Sequence, residues 1–186
     1  MIRLLVVYCS SFGNIEPLAY ATAAGARGVG AAVDVRRVPQ SAKDADLPGT
    51  ALELDQQAPL ASITELESYQ AIIVGTGSRF GRMPSPLGAF LEQAHALRHQ
   101  GALAGRVGGV FTASGGPQHG FEATGLALMA NLINLGMIIV GAPDLQAGSG
   151  DVEDSLGDVL ISAQAALERA RRHGALVAEV AQKLFG

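Results

Sequence analysis

The chain has 186 residues, of which 48% are hydrophobic and 16% are charged, and its formal net charge is −4. This length and composition predict a single globular domain over residues 1–186 and exclude a disordered chain. The acidic balance without a basic run argues against a nucleic-acid partner, and the single Cys9 excludes an internal disulfide and any multi-cysteine metal site.

The first predicted elements are a buried strand and the helix that follows it. Ile2–Tyr8 is a near-continuous apolar run, which is typical of a parallel strand covered on both faces. The segment Ser10–Asn14 forms a hydroxyl-rich turn before a helical pattern begins. Free amides and the helix dipole favour an anion at such a turn, so it predicts a phosphate site. No lysine or arginine lies between Arg3 and Arg27, so amides and hydroxyls would hold the anion.

Strands and helices alternate along the rest of the chain, which predicts crossover units and a parallel sheet. The expected architecture is α/β: a flavodoxin-like three-layer sandwich with a five-stranded parallel sheet of order 2-1-3-4-5. The further predicted strands are Ala32–Val38, Ala71–Gly75, Arg106–Thr112 and Met137–Val140, and the predicted helices are about Asn14–Val29, Pro86–Arg98, Glu122–Leu135 and Ser162–Leu184.

Three other segments need an interpretation. Gly125–Pro143 is uncharged and long enough to cross a membrane, but Asn131, Asn134 and Gly136 interrupt it, so we interpret it as a buried helix followed by a short strand. Pro39–Tyr69 is expected to be a surface loop that ends in a capping box at Ser62–Glu65. Gly148–Gly157 is expected to be a solvated acidic loop. No signal peptide or membrane span is visible, so we expect a cytoplasmic protein.

Small and hydroxyl residues follow three of the predicted strands. The segments are Ser10–Asn14, Gly75–Met83 and Thr112–Gln118. The carboxyl ends of parallel strands meet at one edge of the sheet, where ligands bind. We therefore expect the first loop to hold a phosphate and the other two to contact the edges of a planar heterocycle. No P-loop motif is present, and the glycine spacing of Gly75–Gly81 does not fit a dinucleotide fingerprint.

Most of the chain resembles the WrbA family of flavodoxin-like NAD(P)H:quinone oxidoreductases. The matching segments are V-V-Y-C-S-S-F-G-N-I-E, A-I-I-V-G-T-G-S-R-F-G-R-M, P-L-G-A-F-L-E-Q, G-A-L-A-G-R, V-F-T-A-S-G-G and L-G-M-I-I-V. The block G-T-x-x-R-F-G-x-M is the most specific of them. The resemblance implies two-electron transfer from NADH or NADPH to a quinone, through bound FMN, by a homo-tetramer or homo-dimer.

The same resemblance implies which residues bind the cofactor. The residues that match the family's FMN site are Ser10, Ser11, Phe12, Gly13, Asn14, Ile15, Ser78, Arg79, Phe80, Gly81, Thr112, Ala113, Ser114, Gly115, Gly116 and Gln118. The chain departs from the family pattern at Phe12, where a tyrosine is usual, at Arg98, where a tryptophan is common, and at Leu135, where a histidine is common. The loop after the fifth strand is also shortened and lacks the family's G-T-P-Y-G-A segment.

No general base is needed, because the flavin itself performs hydride chemistry. Arg79 and His119 are weak catalytic candidates, the first as a cation near the flavin and the second as a substrate contact. His95 and His99 are four residues apart on a predicted helix, but no third ligand is evident, so we expect no metal site. The alternatives are a flavodoxin-type electron carrier and an interaction protein with weakened flavin binding.

Overall fold

The computed structural model describes residues 1–11, 13–39, 56–113, 121–142 and 156–186, without the side chains of residues 121, 122 and 156–162. Five parallel strands form one sheet of order β2-β1-β3-β4-β5. The strands are β1 (Arg3–Cys9), β2 (Ala32–Arg37), β3 (Ala71–Gly77), β4 (Val107–Ala113) and β5 (Ile138–Ile139). The predicted α/β fold and strand order are confirmed, whereas the single domain over residues 1–186 stays a prediction.

Helices cover both faces of the sheet. They are α1 (Ile15–Gly28), α2 (Ser85–Glu92), α3 (His95–Gln100), α4 (Phe121–Asn134) and α5 (Leu156–Phe185), and a short 3-10 helix spans Ile63–Ser68. Residues of α1 and α5 pack together in one core cluster, and residues of α2, α3 and α4 pack in the other. The result is the predicted three-layer sandwich.

The first strand is buried on both faces, as its apolar run predicts. Leu4, Val6 and Tyr8 belong to the cluster under α1 and α5, and the alternate residues Leu5 and Val7 belong to the opposite cluster. Each of these five side chains is at most 1% exposed. Because side chains alternate along a strand, one continuous apolar run supplies both cores.

The prediction of one helix over Pro86–Arg98 is wrong, because the chain forms two helices there. The amides of Gln93 and Ala94 donate to carbonyls three residues earlier, on Phe90 and Leu91, at 3.2 and 3.0 Å. This tighter turn separates α2 from α3. The apolar spacing continues across the break, so periodicity alone did not reveal it.

The long uncharged segment is a helix and a strand up to residue 142, which confirms the sequence-based interpretation. Helix α4 ends at Asn134, and Gly136 then turns the chain with a φ of +86° before β5 begins. Glycine adopts this left-handed conformation without strain. Among the described residues, no helix is both long enough and apolar enough to cross a bilayer.

The two predicted loops differ from expectation where the structure describes them. Gln56, Ala58 and Ala61 are buried, so the segment before the 3-10 helix packs against the protein and is not a simple surface loop. The predicted capping box is present at Ser62 and Glu65, and the Ser62 amide donates to Glu65 Oε1 at 2.9 Å. Helix α5 begins at Leu156, so the second loop ends earlier than predicted. Residues 40–55 and 143–155 lie outside the described residues.

Candidate functional site

A cleft opens at the edge of the sheet where β1, β3 and β4 end. Register brings these ends level, because Cys9 pairs with Thr76 and Gly77 pairs with Ala113. The cleft contains about 510 Å³ of space, part of which is open solvent. Its described lining residues are Cys9, Ser10, Ser11, Asn14, Ile15, Gly77, Ser78, Arg79, Pro84 and Ala113.

The first loop presents the amino-terminal end of α1 to this cleft. Gly13 has a φ of +80°, which places the turn in a conformation that favours glycine. Asn14 stands at the N-cap, but its side chain makes no capping hydrogen bond. The Asn14 side chain therefore does not occupy the first-turn amides of α1, and the positive end of the helix dipole favours an anion there. Ser10 and Ser11, which precede this turn, also line the cleft.

The second loop is fixed to its neighbours by hydrogen bonds. The Ser78 amide donates to the Ala113 carbonyl at 3.0 Å, which extends the β3–β4 pairing by one residue. The Ser78 and Thr124 hydroxyls lie 2.9 Å apart, which ties the loop to α4. The Thr76 hydroxyl donates to the Cys9 carbonyl at 3.3 Å and joins the first two loops. These bonds hold the floor of the cleft in one arrangement.

Beyond Ser78 the chain forms a two-residue hairpin. Arg79 and Arg82 exchange backbone hydrogen bonds of 2.8 and 3.1 Å across it. Phe80 and Gly81 at its tip have φ values of +53° and +77°, as a type I′ turn requires. Phe80 is the only non-glycine residue with positive φ in the described part of the chain, and it is 98% exposed. The hairpin therefore presents an aromatic ring to solvent beside the cleft.

The cleft is poor in charge. Arg79 is the only charged side chain among its described lining residues, and none of them is acidic. The nearest acidic residue in the sequence of the first loop, Glu16, is turned toward the sheet, where the Tyr8 hydroxyl donates to its Oε1 at 2.7 Å. Burial and the Glu16 carboxylate raise the pKa of Tyr8, so the phenol stays protonated and remains a donor.

The third loop is described only at its start. Thr112 and Ala113 end β4 beside the cleft, as the sequence predicts. The remaining predicted contacts of this loop lie outside the described residues; they are Ser114, Gly115, Gly116, Gln118 and His119. Phe12 of the first loop also lies outside the described residues.

The structure brings seven of the sixteen predicted cofactor-binding residues together in the cleft, and three further residues line it. The predicted residues that line the cleft are Ser10, Ser11, Asn14, Ile15, Ser78, Arg79 and Ala113, whereas Gly13, Phe80, Gly81 and Thr112 are not among its lining residues. The sequence reasoning did not name Cys9 or Pro84 as site residues, and it included Gly77 only as part of the segment Gly75–Met83. Gly77 stands inside the quoted G-T-G-S segment, and that position was the available signal. Pro84 closes the hairpin and carries no chemical group that would have identified it.

Two positions that depart from the family pattern do not lie near this cleft. The Arg98 carbonyl accepts a 3.1 Å hydrogen bond from the amide of Gly101, which caps the end of α3. Leu135 directly precedes Gly136, whose carbonyl accepts a 2.9 Å hydrogen bond from the Gly105 amide. Val107 and Ile138 form the first pair of β4 and β5, and Gly105 and Gly136 come two residues before them. These residues therefore lie at the end of the sheet where β4 and β5 begin. The cleft is at the other end of the strands, so neither Arg98 nor Leu135 faces the cleft of its own chain.

The fold and the cleft define a flavodoxin-like α/β protein with an open cleft at the carboxyl edge of its sheet. Solved structures share this fold: a WrbA-like flavodoxin from Agrobacterium tumefaciens has a TM-score of 0.68 at 24% identity, covering 98% of this chain and 99% of that one. A flavodoxin from the domain Archaea has a TM-score of 0.64 at 18% identity, covering 97% and 99%.

Sequence comparison gives the family. The model of the NADPH-dependent FMN reductase family matches residues 2–151, and this chain belongs to that family. Proteins named NAD(P)H dehydrogenase (quinone) from Paraburkholderia phymatum and Acidovorax ebreus are each 43% identical, with 100% of both chains covered. These alignments extend over 199 positions, more than the 186 residues of this chain, so the relatives contain positions that this chain lacks. The family predicted from the sequence is confirmed.

Proposed function

We propose that this protein is an FMN-dependent oxidoreductase that transfers two electrons from NADH or NADPH to quinones. The family and the names of its full-length relatives support the reaction. The observation that carries the proposal is the cleft at the ends of β1, β3 and β4. Its described lining residues combine hydroxyl side chains, a helix amino terminus and one guanidinium, with no acidic side chain among them. This donor set fits a phosphorylated, planar and electron-accepting ligand.

The first loop would hold the FMN phosphate. Ser10, Ser11 and Asn14 offer short polar side chains, and the amides that follow Gly13 lie at the positive end of α1. Such a site holds a dianion without a lysine or arginine of its own. We assign Ile15, and Phe12 outside the described residues, to the same loop.

The second and third loops would hold the flavin ring. Bound FMN supplies the redox chemistry, accepting a hydride from a nicotinamide and passing two electrons to a quinone. Ser78, Arg79, Phe80 and Gly81 would lie along one edge of the ring, and Thr112, Ala113, Ser114, Gly115, Gly116 and Gln118 would close the other. The Arg79 guanidinium would stabilise negative charge on the reduced ring, which favours transfer of both electrons. We assign a substrate contact to His119, which lies outside the described residues.

We further propose that the chain forms a homo-tetramer or homo-dimer in the cytoplasm. Support for self-association comes from α4, where the exposed residues Ala123, Leu126, Ala130 and Ile133 recur at helical spacing on one side. Leu126 is 65% exposed and Ile133 is 58% exposed, which is a large apolar area for one helix. Size-exclusion chromatography with light scattering would test this, and a monomeric mass would contradict it.

The experiment that tests the enzyme is steady-state oxidation of NADH and of NADPH with benzoquinone, using purified protein loaded with FMN. We expect turnover well above that of the same concentration of free FMN, with stoichiometric consumption of nicotinamide and quinone. Rates equal to those of free FMN would contradict the proposal. A stable one-electron-reduced flavin during reductive titration would instead favour the electron carrier.

A further inference from the structure

One contact beside the phosphate turn has no role in the reaction described above. Tyr8 lies in β1 and is 0% exposed, yet its hydroxyl reaches the first turn of α1 and donates to Glu16 Oε1 at 2.7 Å. Glu16 is the second residue of α1, directly after Ile15, which lines the cleft. A buried phenol therefore binds an acidic side chain at the helix end that would bind the phosphate.

A carboxylate at this position acts in two opposite ways. It stabilises the helix, because negative charge near an amino terminus complements the dipole. It also repels a phosphate bound at the same amides, because like charges a few ångströms apart oppose each other strongly near a protein surface. The net effect depends on where the side chain points.

The structure shows which direction it takes. Asn14 and Ile15 line the cleft, whereas Glu16 does not. Its carboxylate is held on the side of the sheet by the Tyr8 hydroxyl. After burial and Glu16, Tyr20 and Arg37 have smaller effects on the pKa of Tyr8. Arg37 is itself fixed, because its Nε donates to the Ala58 carbonyl at 3.0 Å.

We propose that Tyr8 is a positioning residue for the cofactor: its hydroxyl holds the Glu16 carboxylate away from the phosphate turn and so lowers the electrostatic cost of binding the FMN phosphate. The inference rests on the proposed FMN site. It requires that the carboxylate, once released, turn toward the first-turn amides, and Glu16 itself stands in that first turn. Glu16 then keeps its favourable effect on the helix without competing for the anion site.

The test is the affinity of FMN for protein stripped of cofactor, measured by quenching of flavin fluorescence. Tyr8→Phe removes one hydroxyl, and we expect its dissociation constant for FMN to rise about tenfold at low salt, the size of one unscreened charge interaction near a surface. The increase should shrink as salt is raised, since exposed charges are screened within about 10 Å at 0.1 M. Riboflavin, which has no phosphate, should bind the variant and the unchanged protein equally.

Substitutions at Glu16 separate charge from structure. Glu16→Gln keeps a hydrogen-bond acceptor for Tyr8 and removes the charge, so FMN should bind as tightly as before or more tightly. Glu16→Asp keeps the charge and shortens the side chain beyond reach of the Tyr8 hydroxyl, so FMN should bind more weakly. The double variant Tyr8→Phe with Glu16→Gln should recover affinity to within about threefold of the unchanged protein. Circular dichroism and the melting temperature show whether each variant is folded, and the two Glu16 variants decide the matter if Tyr8→Phe does not fold.

A purely structural role for the contact gives different results. Tyr8→Phe would then weaken FMN and riboflavin alike, without salt dependence, and Glu16→Gln would not restore binding. Either result would overturn the proposal while leaving the FMN site in place. Failure of the unchanged protein to bind FMN at all would refute the proposed function instead.

Discussion

The crossing of α1 and α5 gives a prediction that can be worked from the structure. A Cβ at Gly25 would overlap the Arg171 carbonyl oxygen and stand 2.6 Å from its carbon, and a Cβ at Gly174 would meet the Thr22 carbonyl in the same way. At Gly28, one turn further along α1, a Cβ would meet nothing within 4 Å. Gly25→Ala and Gly28→Ala are therefore the same substitution in the same helix, and only the first meets a neighbour.

We expect the free energy of unfolding to fall in Gly25→Ala and to stay the same or rise in Gly28→Ala. In Gly25→Ala the helices must separate until the new Cβ no longer overlaps the Arg171 carbonyl oxygen, and this obstacle is backbone that cannot move alone. Overpacking of this kind costs about 3 kcal/mol at the upper end of its usual range, and the better helix propensity of alanine returns about 1 kcal/mol. We expect a net loss of about 2 kcal/mol in the free energy of unfolding. Gly28→Ala should be neutral or gain about 0.5 kcal/mol.

Urea denaturation of the cofactor-free protein measures both values, provided that the m-values agree. Helix α1 also carries the phosphate turn at its other end, so the displacement in Gly25→Ala should weaken FMN binding while Gly28→Ala leaves it unchanged. Equal stability of the two variants would refute the close helix crossing. A Gly25→Ala protein with lower stability but unaltered FMN affinity would show that the shift does not reach the turn.

Three further predictions concern the site and its surroundings. Gly13→Val should retain the fold but lose FMN binding, because a β-branched residue is strained at a φ of +80°, and unchanged FMN affinity in a titration would move the site elsewhere. Arg79→Gln should lower the two-electron reduction potential of the bound flavin, whereas Arg79→Lys should recover part of it; equal potentials in a dye-equilibration assay would remove Arg79 from this role. His173 is 2% exposed, and its Nε2 lies 3.2 Å from the Val140 carbonyl oxygen. Burial lowers the pKa of His173 below its ordinary value of 6.5 in the folded protein, so the unfolded chain binds the proton more readily and protonation favours unfolding. Its contribution to stability should be complete above about pH 6.5 and decrease below it by up to about 1.4 kcal/mol per pH unit, and denaturation curves of His173→Phe should lack this dependence.

The sequence predicts the sheet well because its strands are buried on both faces. Short continuous apolar runs such as Ile2–Tyr8 and Ala71–Gly75 are typical of parallel strands that are buried on both faces. Because these strands alternate with helices, the loops that follow them meet at one edge of the sheet. The residues Ser10, Asn14, Ser78 and Arg79 could be proposed as site residues for the same reason, since each follows the end of a strand.

Other features depend on tertiary packing and leave no local signal. The break between α2 and α3 is invisible in the spacing of Leu87, Leu91 and Leu97, because the tightened turn preserves the apolar face. The close approach of Gly25 to α5 joins residues that are far apart in sequence. The hydrogen bond from Tyr8 to Glu16 could not be predicted either, because the sequence pattern assigns Tyr8 to a buried apolar strand and gives no partner for its hydroxyl.

The central claim is that the cleft at the ends of β1, β3 and β4 binds FMN. The most direct measurement is the visible absorption spectrum of the purified protein after incubation with FMN and removal of unbound cofactor by gel filtration. The account predicts that the protein fraction is yellow and carries about one flavin per chain. A colourless protein fraction, with all of the flavin eluting as free FMN, would contradict it.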